Sequence, residues 1–92
     1  MRILVTPTFA RRVKKLHHEQ KAVLDEAVRV IASRPETGET KVGDLAGVQV
    51  YKFRMGDLLC LLAYRVLDEN TLKLLMVGPH ENFYRDLKGL EG

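Results

Sequence analysis

Residues 48–77 read VQVYKFRMGDLLCLLAYRVLDENTLKLLMV. Two turn signals, Gly56-Asp57 and Asp68-Glu69-Asn70, divide this stretch. They leave three strand-like runs, Val48 to Met55, Leu58 to Leu67 and Thr71 to Val77. The connections are short, so neighbouring runs pair as antiparallel hairpins. The middle run is apolar at nearly every position, the pattern of a strand covered on both faces. The first run alternates imperfectly, and Lys52 and Arg54 share a face with Val48 and Val50 while Tyr51 and Phe53 point the other way.

Downstream, Gly78-Pro79 stops the third run, and His80 to Leu87 sets His80, Tyr84 and Leu87 on one face of a short helix. Upstream, residues 36–47 hold three glycines and no periodicity, which reads as a loop. Before that loop, Phe9, Val13, Leu16, Leu24, Ala27, Val28 and Ile31 recur at helical spacing, interrupted at Gln20. The interruption predicts two helices joined near His18, with His17 and His18 ending the first and Pro35 ending the second. Residues 2–6 form a β-branched run, and Thr6-Pro7 supplies a cap and a first helical residue. The expected order is strand, two helices, three-stranded meander and short C-terminal helix. This is an α+β domain with helices packed on one face of a mainly antiparallel sheet. The opposite face is left open or partly covered by the last helix.

The 92 residues suit a single domain spanning 1–92. A composition 46% hydrophobic and 29% charged excludes disordered, collagen-like and rod-like chains. So small a domain has little room for a deep pocket, which directs chemistry to an open face. The one cysteine excludes an internal disulfide, and no cysteine pair suggests zinc, so a reducing cytoplasmic setting is expected. No apolar run has the length of a signal peptide core or a membrane span, which predicts a protein without a membrane partner.

The net charge of +3 is unevenly spread. Residues 1–34 hold eight basic and three acidic side chains, and residues 35–92 hold seven basic and nine acidic. A basic first third attracts nucleic acid or an acidic protein, or is a plain solvated helix face. The adjacent cations Lys52 and Arg54 make a compact phosphate site or keep a strand soluble. Arg65 is either a third phosphate contact or a partner of Asp68 or Glu69. Histidine moves protons near neutral pH, and Tyr84 can stack on a base, although a terminal helix also packs through such residues. His17 and His18 are adjacent on a helix and make a poor metal pair.

With these residues in view, the whole chain resembles the RelE/ParE superfamily of toxins from bacterial type II toxin–antitoxin modules. The resemblance rests on the initial strand followed by Phe9 and a Lys/Arg-rich helix, on Asp44-Leu45-Ala46-Gly47-Val48, and on Val50 to Asp57. It extends through Ala63-Tyr64-Arg65-Val66 and the C-terminal run from Gly78 to Lys88. It implies one of two activities. RelE-like members cut mRNA in the ribosomal A site without a metal or cofactor; ParE-like members inhibit DNA gyrase and cut nothing.

On the ribonuclease reading the resemblance makes Lys52, Arg54, His80 and Tyr84 the catalytic set, with Arg65 and Arg85 contacting substrate. It implies a cognate antitoxin, acidic or partly disordered, and assigns Arg11, Arg12, Lys14 and Lys15 to antitoxin or target binding. Operator DNA is then contacted through the antitoxin, and the ribosome and mRNA are the targets. One departure keeps the gyrase reading in view: RelE-like sequences carry an arginine in the middle of the third strand, and here nothing basic lies between Arg54 and Arg65. A non-catalytic RNA-binding or regulatory domain is the third reading, and it explains the basic helices but not the His80 to Arg85 run.

Overall fold

Alternation in the Val48–Met55 run decides which side of the sheet each residue serves. The computed structural model describes residues 1–91. It contains β1 (Arg2–Val5), α1 (Pro7–Lys14), α2 (His18–Ser33), β2 (Glu39–Thr40), β3 (Gln49–Met55), β4 (Leu58–Asp68), β5 (Thr71–Pro79) and α3 (Phe83–Glu91). Single 3-10 turns occupy Pro35–Thr37 and Gly43–Leu45. The sheet order is β1-β5-β4-β3-β2, with β1 parallel to β5 and all other pairs antiparallel.

The apolar central strand β4 feeds both faces, as its sequence requires. Leu62 and Tyr64 join Leu24, Ala27 and Ile31 of α2 and Phe9 of α1 in one core. Leu61 and Ala63 join Val48, Val50, Phe83 and Leu87 in a second core beneath α3. The first two helices therefore share a face, and the last helix covers part of the other.

Thr6 ends β1 and starts α1 in one residue. Its hydroxyl accepts from the Phe9 amide at 3.0 Å and donates to the Leu75 carbonyl at 2.6 Å. Leu75 is the extra residue of a bulge, since Ala63 faces Met76 while Tyr64 faces Leu74. The helix cap thus satisfies a carbonyl beside the irregularity in the strand ladder.

Three expectations need correction. His17 and His18 do not end the first helix, which stops at Lys14; His17 caps α2, and its amide donates to Gln20 Oε1 at 2.8 Å. Gln20 interrupts the apolar stripe because it completes a cap. The 36–47 segment is not wholly a loop, since Glu39–Thr40 adds a two-residue edge strand to β3. Finally, His80 is not on the last helix. Its amide donates to the Leu59 carbonyl at 3.0 Å and prolongs the sheet ladder, and Asn82 takes a left-handed φ of 62° that delays the helix to Phe83.

Candidate functional site

Strand register places the cationic residues in two adjacent rows on the α3 face. Lys52 pairs with Leu61, and Leu61 pairs with Gly78. Arg54 pairs with Leu59, whose carbonyl receives the His80 amide. Paired residues share a sheet face, so Lys52, Arg54 and His80 belong to one surface. Two strand spacings separate the backbones of Arg54 and His80, about 10 Å. Lys52, Arg54 and His80 are all exposed, and the Arg54 Nη1 donates to the Asp57 carbonyl at 3.1 Å.

Tyr84 lies on the β2 side of this surface. Its ring meets Phe83 edge-on at 5.6 Å, and Lys41 Nζ stands 4.9 Å from its centroid. Lys41 also donates to Glu39 Oε1 at 2.6 Å. That bond holds the Glu39 carboxyl below the usual carboxylate range, with a smaller contribution from Lys52. The same bond, and next the Tyr84 hydroxyl, raise the Lys41 ammonium above its ordinary value. Lys41, Leu45, Tyr84 and Lys88 help line a hollow of about 340 Å³.

Lys41 and Glu39 were not among the residues expected from the sequence. The available signal was weak: Glu39-Thr40-Lys41-Val42 sets two charged residues two apart, as one strand face would, inside a glycine-bearing stretch.

The remaining candidates are dispersed. Arg65 shares the α3 face, but it lies four residues along β4 from Leu61, about 13 Å. Its Nη1 donates to the Ala46 carbonyl at 3.2 Å, so the guanidinium braces the turn before β3. Arg85 is exposed and reaches Asp86 Oδ1 at 3.4 Å. Arg11 and Lys14 are exposed on the C-terminal half of α1, and Lys15 is exposed just after it. Arg12 departs from them: it is half-buried, and its Nη2 lies 3.3 Å from Asp86 Oδ2 on α3. Among the described residues, no group of three His, Cys, Asp or Glu side chains is placed to hold a metal ion. No described helix is long and apolar enough to cross a membrane.

A family model for the ParE-like toxin of type II bacterial toxin–antitoxin systems matches residues 3–88. The chain belongs to that family. Its fold agrees. An arginine double mutant of the Escherichia coli toxin RelE in the free state superposes with a TM-score of 0.74 at 15% identity, covering 98% of this chain and 92% of that one. The intact E. coli RelBE toxin–antitoxin complex gives 0.69 at 19% identity, covering 87% and 96%. The toxin–antitoxin complex RelBE2 from Mycobacterium tuberculosis gives 0.66 at 28% identity, covering 86% and 96%. No curated protein matches the sequence. The toxin thus carries a RelE-like fold, and the RelE/ParE resemblance of its sequence holds.

Proposed function

We propose that this toxin is a ribosome-dependent mRNA endoribonuclease that blocks translation and is neutralised by a cognate antitoxin. The observation carrying this reading is the register that sets Lys52, Arg54 and His80 on one open sheet face, beside Tyr84.

The reaction uses the ribose 2′-hydroxyl as nucleophile on the adjacent phosphorus. The 2′-oxygen loses a proton and bonds to phosphorus, the phosphorane gathers negative charge, and the P–O5′ bond breaks, leaving a 2′,3′-cyclic phosphate and a 5′-hydroxyl that takes up one proton. Lys52 and Arg54 stabilise the phosphorane, a contribution on the order of 10²–10³ in rate for a pre-placed donor. His80 transfers one of the two protons, from the 2′-hydroxyl as base or to the 5′-oxygen as acid, worth about 10²–10⁴, and solvent water takes or supplies the other. Tyr84 stacks on a nucleobase. Glu39 feels the charge of Lys52, but Lys41 stabilises its charged form and makes it a weak base.

The exposed cations Arg11, Lys14 and Lys15 suit an acidic or partly disordered antitoxin, and two of the solved structures similar to this chain are toxin–antitoxin complexes. Operator DNA is contacted through that antitoxin.

Gyrase inhibition is the second reading, favoured by the ParE-like family assignment and by the lack of a basic residue between Arg54 and Arg65. Sequencing mRNA ends after induction separates the two. Discrete cuts in codon register are expected. Growth arrest with intact mRNA and early DNA-damage signalling would replace the ribonuclease reading with the gyrase one. Within the ribonuclease reading, His80→Ala, or Lys52→Ala with Arg54→Ala, relieves arrest while the protein remains folded.

A further inference from the structure

Gly78 sits at the end of the row Lys52–Leu61–Gly78, where a side chain would project toward α3. That space is filled from elsewhere. A Cβ built on Gly78 would lie 2.6 Å from Nη1 of Arg12. Arg12 starts on α1, a helix packed on the opposite face. It can reach this point because β1 pairs only with Thr71 to Leu74, leaving the rest of that β5 edge without a strand. Asp86 of α3 receives the guanidinium at 3.3 Å through Nη2, and the Arg12 side chain keeps 34% of its surface accessible.

The guanidinium therefore stands on the same sheet face as Lys52 and Arg54, two strands away. The backbone of His80 follows Gly78 by two residues, roughly 7 Å along the chain. Lys52 and Arg54 lie on one side of β4, and Arg12 and His80 lie on the other, about 10 Å across; between them Leu61 is buried under α3 and Leu59 is half-buried, so the two sides communicate over Leu59 and around the end of α3. Arginine offers a planar fork that binds a phosphate through two donors. One Asp86 carboxylate does not use all five guanidinium N–H donors.

We infer that Arg12 is a phosphate contact of the RNA site, delivered from α1 through the β5 edge and admitted by Gly78. This inference rests on the ribonuclease reading and assigns Arg12 to the RNA rather than to the antitoxin-facing set Arg11, Lys14 and Lys15.

The test measures kcat/KM for cleavage of a defined mRNA in a reconstituted ribosomal complex, together with thermal melting, for Arg12→Gln, Arg12→Lys, Gly78→Ala, Asp86→Asn and Lys52→Ala. A purely structural tie between α1 and α3 would lower the melting midpoint alike in Arg12→Gln and Asp86→Asn and leave cleavage equal in both. A phosphate contact predicts about a hundredfold loss in Arg12→Gln, as for removal of a transition-state donor. It predicts recovery of at least tenfold of that loss in Arg12→Lys and a loss below tenfold in Asp86→Asn. Gly78→Ala keeps the charge but displaces it, so its cleavage should fall toward that of Arg12→Gln. If Lys52→Ala is inactive while Arg12→Gln cleaves within threefold of the parent protein, the assignment of Arg12 is wrong and the ribonuclease reading stands. If the parent protein does not cleave, both fall.

Discussion

Lys41 lies over the ring of Tyr84, 4.9 Å from its centroid, and joins the edge strand β2 to the C-terminal helix. An ammonium over an aromatic face is worth about 0.5–1 kcal/mol when exposed. Tyr84→Phe keeps the ring, so it should melt within a degree or two of the parent and retain growth arrest. Tyr84→Ala loses the ring and its stacking surface; arrest should be relieved, with a stability loss of about 1–3 kcal/mol seen in urea titration.

The Glu39–Lys41 ion pair gives a signed pH dependence. The Glu39 carboxyl is lowered by the hydrogen bond from Lys41, so its contribution is present above its unfolded pKa and fades as pH falls through the folded one. The Lys41 ammonium is raised by Glu39 and then by Tyr84, so its contribution is present below its unfolded pKa and fades as pH rises through the folded one. Melting the parent protein and Glu39→Gln across pH should show their difference largest at neutral pH and shrinking toward both extremes. A difference that grows in acid would contradict the pair.

Tyr64 is fully buried, and its hydroxyl serves two backbone groups, accepting from the Gly38 amide at 2.9 Å and donating to the Pro35 carbonyl at 2.7 Å. Tyr64→Phe strands both, at a cost of about 1–3 kcal/mol. Gly38→Ala would set a Cβ 2.5 Å from the same oxygen, which a buried ring cannot readily yield. Denaturant midpoints should fall for both variants, and the double variant should cost less than the sum, because the two share one contact.

Burial raises the Cys60 thiol above its ordinary pKa, and the residue is almost fully enclosed beside Met55 and Leu62. Alkylation by iodoacetamide should be negligible in the folded protein at pH 7 and complete in denaturant. Rapid labelling without unfolding would mean that the core under α2 opens locally.

The meander was legible because each of its strands carries a local signal. Tyr51 and Phe53 alternate with Lys52 and Arg54, β4 is apolar throughout, and Gly56-Asp57 marks a turn at which glycine takes a φ of 65°. The cap at Thr6 and the break near His18 were local as well. What escaped was set by distance or by coincidence of spacing. Glu39–Thr40 is too short and polar to show a period, and becomes a strand only because β3 offers an edge. His80 falls at helical spacing from Tyr84, yet the ladder to Leu59 claims its backbone first. The Arg12–Asp86 pair joins residues 74 apart in sequence, and nothing around either residue announces the other. The cationic strand of the candidate site was therefore readable, whereas its flanks at Lys41 and Arg12 depend on packing.

The brevity of β1 has a consequence for how this chain tolerates change. Four more paired residues after Val5 would add ladder hydrogen bonds and make the sheet more regular, a change that ordinarily favours stability. Here it would wall off the gap beside Leu75 to Gly78, strand the Arg12 guanidinium among the apolar side chains under α1, and leave Asp86 facing a bare glycine. The incomplete edge works as a doorway between the two faces of the sheet, and lengthening the strand would shut it.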